Sequence, residues 1–101
     1  MKITSPHKLL DTLKQRSRFI QGQRVALDMD VAELYGITVA QLRKTVKRHI
    51  RRFPPEFLLV ENNQFYFTEG GILMVSSVLR SPQAARISVS IVRELFSFQT
   101  N

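Results

Sequence analysis

The stretch from Asp28 to Arg52, DMDVAELYGITVAQLRKTVKRHIRR, carries two helical patterns of apolar positions separated by a glycine. Val31, Leu34 and Tyr35 recur at helical spacing with the small Ala32 among them. Asp28 is an N-cap residue type, and Gly36 stands where a residue of positive φ ends a helix. Thr38 opens a second helix, and Gln41 three residues later completes a capping-box signature. Val39, Leu42, Val46 and Ile50 share one face of that helix, while Gln41, Lys44, Lys47, Arg48 and Arg51 collect on the opposite face. The pattern predicts a short helix, a tight turn and a basic helix from Val39 to about Ile50, which is the arrangement of a helix-turn-helix. Ala32 lets the two helices approach closely, with Ile37 and Leu42 wedged between them.

The flanking patterns fill in the rest. Residues 1–18 predict a leading helix that starts at Ser5-Pro6, with Leu9, Leu10 and Leu13 as a narrow apolar stripe. Phe19 to Leu27 reads as two short strands around a turn at Gly22, with Arg24 exposed beside it. Phe53-Pro54-Pro55 stops the basic helix, since a residue before proline is pushed out of the α region. Phe57–Val60 and Phe65–Phe67, joined by Glu61-Asn62-Asn63-Gln64, predict a second hairpin in the place of a wing. Thr68 caps a further helix whose Ile72–Leu79 run is apolar nearly all round, the pattern of a buried central helix. Ser81-Pro82 starts a last helix with two stripes: Ala84, Ile87, Ile91, Leu95 and Phe98, then Val89, Val92 and Phe96. The second stripe is either a dimer contact or the edge of a broad core face. The fold class is α+β: a helix-turn-helix with short β-hairpins, winged-helix-like, and two C-terminal helices, in one domain spanning residues 1–101.

Charge changes the picture most. Fifteen Lys and Arg against eight Asp and Glu give a net charge of +7, which favours an acidic partner. Arg43, Lys44, Lys47, Arg48, Arg51 and Arg52 fall within ten residues that contain no carboxylate. A helix built for solubility interleaves Glu with Lys, so the tolerated repulsion points to a polyanion as the missing partner. No apolar run reaches the ~18 residues of a spanning helix, and no signal-peptide pattern opens the chain, so a cytoplasmic protein is expected. With no Cys, disulfides and thiolate zinc sites are excluded. His7 and His49 lack a carboxylate at triad or ligand spacing, and His49 reads as a partly buried structural residue. Neither an enzyme, nor a cofactor, nor a small-molecule substrate is expected. Gly70-Gly71 at a helix start is a weak anion-binding signal without a P-loop lysine.

GQRVALDMDVAELYG at Gly22–Gly36, RRFPPEF at Arg51–Phe57 and FTEGGILMVSSVLRS at Phe67–Ser81 resemble the phage and bacterial ORF-six-N domain family. That family is similar to the KilA-N and Bro-N domains of phage antirepressors and large DNA viruses. The resemblance runs from about Phe19 to Phe98 and implies a DNA-binding module of mixed α/β fold, of phage or prophage descent. The chain departs from the family pattern at His49, where Asn is usual, and at Pro55, where an acidic residue is usual. The segment between Phe57 and Phe67 is also shorter, and the chain ends soon after its last helix.

The expected partner is double-stranded DNA, with the basic helix in the major groove. Thr38, Gln41, Lys44, Lys47 and Arg48 are the candidates for base edges: Gln pairs with adenine in bidentate fashion, and Arg or Lys with guanine. Arg24, Arg43, Arg51 and Arg52 are the candidates for phosphates. The alternative is an antirepressor-type interaction module that binds a repressor or other partner through the apolar C-terminal helix, which is also the candidate surface for a homodimer. RNA and membrane surfaces fit less well, for want of exposed aromatics and of an unpartnered apolar helix face.

Overall fold

Both expected hairpins form because left-handed backbone is available where each chain must reverse. Gln21 and Gly22 have φ of 53° and 79°, and Asn62 and Asn63 have φ of 52° and 62°. Two consecutive positive values match the twist of paired strands. The computed structural model describes residues 6–95. Its strands are β1 (Arg18–Ile20), β2 (Gln23–Leu27), β3 (Leu58–Glu61) and β4 (Gln64–Phe67). Its helices are α1 (Pro6–Arg16), α2 (Asp28–Tyr35), α3 (Val39–Arg48), α4 (Glu69–Leu79) and α5 (Pro82–Leu95). Ser5, Phe96 and Phe98 of the predicted helices, and the side chains of Leu9 and Leu95, lie outside the described residues.

The second hairpin turns on Asn62-Asn63 alone, since Glu61 and Gln64 pair with each other. β4 also pairs with β2, Ala26 opposite Phe67 and Leu27 opposite Tyr66. The two hairpins therefore make one antiparallel sheet in the order β1-β2-β4-β3. This places β4 inside, with Phe65, Tyr66 and Phe67 all buried. The Phe67 ring meets Phe53 and Phe65 edge-on at centroid distances of 6.2 and 6.4 Å, the favoured geometry for aromatic rings. The fold is thus α+β, five helices against a four-stranded sheet.

The core gathers Leu10 and Leu13 of α1, Val31, Leu34 and Tyr35 of α2, Leu42 and Val46 of α3, and Ala84, Ile87 and Ile91 of α5. Arg16 ties α1 to α2 by reaching Asp30 and Glu33 at 3.2 Å each. α4 departs from the expected all-round burial: Ile72, Val75 and Ser76 are buried, but Leu73, Met74, Val78 and Leu79 are only partly so. A domain this small has too few elements to cover both sides of one helix. Val89 and Val92 of α5 stand 48% and 43% exposed, so the described portion of that second stripe is surface, not core. Among the described residues no helix is long and apolar enough to cross a membrane.

Two contacts fix α4. Thr68 Oγ1 accepts from the Gly71 N–H as the expected cap, and Phe57 explains the glycine pair. A Cβ on Gly71 would overlap the Phe57 carbonyl, and one on Gly70 would lie 2.7 Å from its ring. The pair serves close approach, a steric role. Further along, the Tyr35 hydroxyl donates to the Ile72 carbonyl at 2.6 Å. Burial pushes the Tyr35 phenol up from its ordinary value of 10.0, with Ser76 offsetting some of the rise.

Substitution at two glycines separates strain from overlap. Gly36→Ala meets no atom within 4 Å and strains only a φ of 69°, so it costs about 1 kcal/mol. Gly71→Ala forces backbone apart and costs more, about 3 kcal/mol at the upper range for overpacking, as read by urea unfolding. Alkali probes Tyr35. The unfolded chain loses this proton near pH 10.0 while the folded chain keeps it, so the folded state binds more protons and stability falls as pH rises above 10. Tyr35→Phe makes that fall shallower, in unfolding curves taken between pH 9 and 11.

Candidate nucleic-acid interface

The turn between α2 and α3 is locked at both ends by backbone chemistry. Gly36 adopts the left-handed conformation. Its N–H donates to the Glu33 carbonyl and the Ile37 N–H to the Ala32 carbonyl, the two bonds of a Schellman stop. One residue later Thr38 Oγ1 accepts from the Gln41 N–H at 3.0 Å. Gln41 Oε1 accepts from the Thr38 N–H at 2.9 Å, closing the capping box. The box engages the amide oxygen that a bidentate contact with adenine requires. Thr38 and Gln41 are exposed, yet their side-chain oxygens already serve the helix start.

Asp28 does something other than capping. Leu27 holds the N-cap position of α2 with no side-chain bond, and the Asp28 side chain is fully buried. Its Oδ2 accepts from Arg43 Nε at 2.9 Å and Nη2 at 2.7 Å, and from the Phe65 N–H at 3.1 Å. The Arg43 guanidinium also lies 5.9 Å from the Phe65 ring centroid, within cation–π range. One carboxylate thus joins the start of α2, the middle of α3 and strand β4. Arg43, expected to meet phosphate, has its charge answered inside the protein. Its position flanking the buried Leu42 and Val46 stripe turns it inward.

α3 also ends earlier than its apolar pattern suggests. His49 leaves the helix at φ −116° and ψ 35°, half-buried, and Ile50–Arg52 continue as a 3₁₀ turn. The proline after Phe53 bars further α-helix. The tighter turn carries Phe53 into the core at 5% exposure and leaves Ile50, expected on the core face, 52% exposed.

What remains outward is a cationic face. Lys44, Lys47 and Arg48 on α3, with Arg51 and Arg52 beyond it, are exposed, and no ion pair joins them to an acid among the described residues. The acids of α2 are occupied elsewhere, Asp28 by Arg43 and Asp30 and Glu33 by Arg16. Ala40, four residues before Lys44 and seven before Lys47, is exposed on the same face; helical spacing places it there, though its small apolar side chain draws no notice beside the cations. Arg24 is held elsewhere. Its guanidinium stacks 5.4 Å over the exposed Phe19 ring, and it borders a small apolar cavity lined by Leu10, Leu13 and Ile91, whereas α3 packs on α2 and α4.

Breaking the clamp from one side should cost more than removing it. Arg43→Met strands a buried carboxylate and lowers stability by about 3 kcal/mol, while Asp28→Leu with Arg43→Met recovers most of the loss. Urea unfolding of the two variants gives the comparison.

The family model of the ORF6N domain matches residues 15–65, half of the chain. No curated protein and no solved structure matches the chain. The matched span takes in β1, β2, α2, α3 and β3, and so both partners of the clamp and the whole cationic face. The third block of resemblance, Phe67–Ser81, lies beyond it. The chain belongs to the ORF6N domain family.

Proposed function

We propose that this domain binds double-stranded DNA by setting the exposed face of α3 into the major groove, as the DNA-reading module of a phage-type regulator. The observation that carries the reading is the division of the charges. Arg16 and Arg43 answer the acids of α2, while Lys44, Lys47, Arg48, Arg51 and Arg52 face solvent with no acid against them among the described residues. Repulsion of this kind is relieved by a polyanion. Lys44 sits at the centre of the face with Lys47 and Arg48 to either side, the positions nearest base edges, where such side chains pair with guanine. Arg51 and Arg52 extend the face past the helix end, suited to phosphate. Gln41 reads adenine in bidentate fashion only by sharing the oxygen that closes the capping box, while its amide N–H groups are left to donate.

Lys44→Glu with Lys47→Glu abolishes retention of duplex in a gel shift and leaves the unfolding curve unchanged, since neither side chain packs on the core. Wild-type affinity falls with salt at a log–log slope of about −4 to −5, the value for roughly five neutralised phosphates. A flat salt dependence, or binding untouched by the double substitution, refutes the assignment.

A further inference from the structure

We propose that the groove between α4 and α5 is a docking site for an acidic amphipathic helix of a partner protein. The groove is lined by Leu73, Ser76, Ser77, Arg80, Ala85 and Val92 among others. Its apolar floor continues onto the outer face of α5 through Val89 and Val92, both far more exposed than the buried Ala84, Ile87 and Ile91 on the opposite face. Serine and alanine along the walls leave room for a helix backbone to come close, and the valines supply the apolar contact of a helix-in-groove complex.

The charge around the groove selects the partner. Arg80 stands at one lip, in the left-handed backbone conformation that ends α4 (φ 55°, ψ 35°). Beyond Val89, outside the groove's own lining, Arg86 and Arg93 are exposed, seven residues apart and so two turns along one flank of α5, with the Arg86 guanidinium donating to Gln83 Oε1 at 3.1 Å. From Gly70 to Arg93 the chain contains no acidic residue. A second copy of this chain, laid symmetrically on the groove, would bring these arginines towards their own equivalents, and like charges placed together disfavour that complex. A helix with leucine-type residues on one face and Glu or Asp flanking them satisfies both the valines and the arginines. This surface is separate from α3, so the inference stands independently of DNA binding.

The test uses the full chain and two labelled synthetic helices of about 15 residues, long enough to hold helical structure, one patterned Leu/Glu and the other Leu/Lys. Fluorescence anisotropy is expected to show binding of the Leu/Glu helix and not of the Leu/Lys helix. Val92→Glu weakens binding about tenfold, Arg86→Glu with Arg93→Glu about tenfold at low salt, and Lys44→Glu with Lys47→Glu leaves it unchanged. Failure of both helices to bind, or equal binding of both, overturns the proposal. Loss of binding in the Lys44/Lys47 variant overturns it too, because the peptide then reads the charge of α3. Sedimentation that finds a dimer dissolved by Val92→Glu assigns the groove to a second copy and overturns it as well.

Discussion

A single buried carboxylate sets the geometry on which the rest of this domain depends. Asp28 is reached by the Arg43 guanidinium and the Phe65 N–H together, so α2, α3 and the sheet converge on one oxygen atom. Leu42 and Val46 would bury themselves against α2 over a range of rotations about the α3 axis, because apolar contact is non-directional. Two guanidinium bonds to one oxygen, with a backbone N–H on the third side, admit far fewer. The other oxygen, Oδ1, is buried with no hydrogen-bond partner among the described residues, which leaves Arg43 as the charge that answers the carboxylate. A buried ion pair of this kind is weak support for stability and better suited to fixing orientation.

Orientation matters here because the face it sets is defined by subtraction. Six cations crowd the segment from Arg43 to Arg52, and Arg43 is withdrawn to hold the helix in place. Withdrawing Arg43 turns Lys44, Lys47 and Arg48 outward, and the 3₁₀ turn carries Arg51 and Arg52 on past the helix end. The same segment therefore supplies both its own anchor and the surface being anchored. Arg16 has a parallel role at the junction of α1 with α2, where it engages Asp30 and Glu33.

Much of this was legible in the residues, and the gaps have physical causes. Gly36, the Thr38–Gln41 box, Thr68, Ser81 and both hairpin turns are local signals, each readable from a few neighbouring side chains, and each forms. The union of the two hairpins into one sheet was not legible, because the pairing of β2 with β4 joins residues about forty apart and leaves no periodic trace. The task of Asp28 is hidden from local sequence for a related reason. A helix-initial aspartate is ordinarily a cap, and only its distant partners, Arg43 and Phe65, reveal a different use. Ile50 leaves the core face because the helix type changes there: the positions that share a face at 3.6 residues per turn diverge once the chain tightens towards three. At the candidate site the exposed lysines and arginines followed from helical spacing, while the tasks of Arg43 and Arg24 did not.

The glycine pair shows why close approach carries more information than apolar pattern in a domain of this size. Gly70 and Gly71 let the Phe57 carbonyl and ring press on the first turn of α4, and the Thr68 N–H donates to that carbonyl. Thr68 Oγ1 completes the knot by donating to the Glu56 carbonyl while accepting from Gly71. The loop after the 3₁₀ turn is thereby fastened to α4, and through Tyr35 and the Ile72 carbonyl α4 is fastened to α2. The basic segment is held at two points, by Asp28 near the middle of α3 and by this loop beyond Phe53. A surface held in that way keeps its cations at fixed positions relative to each other, because neither α3 nor the turn beyond it can rotate without breaking one of the two attachments.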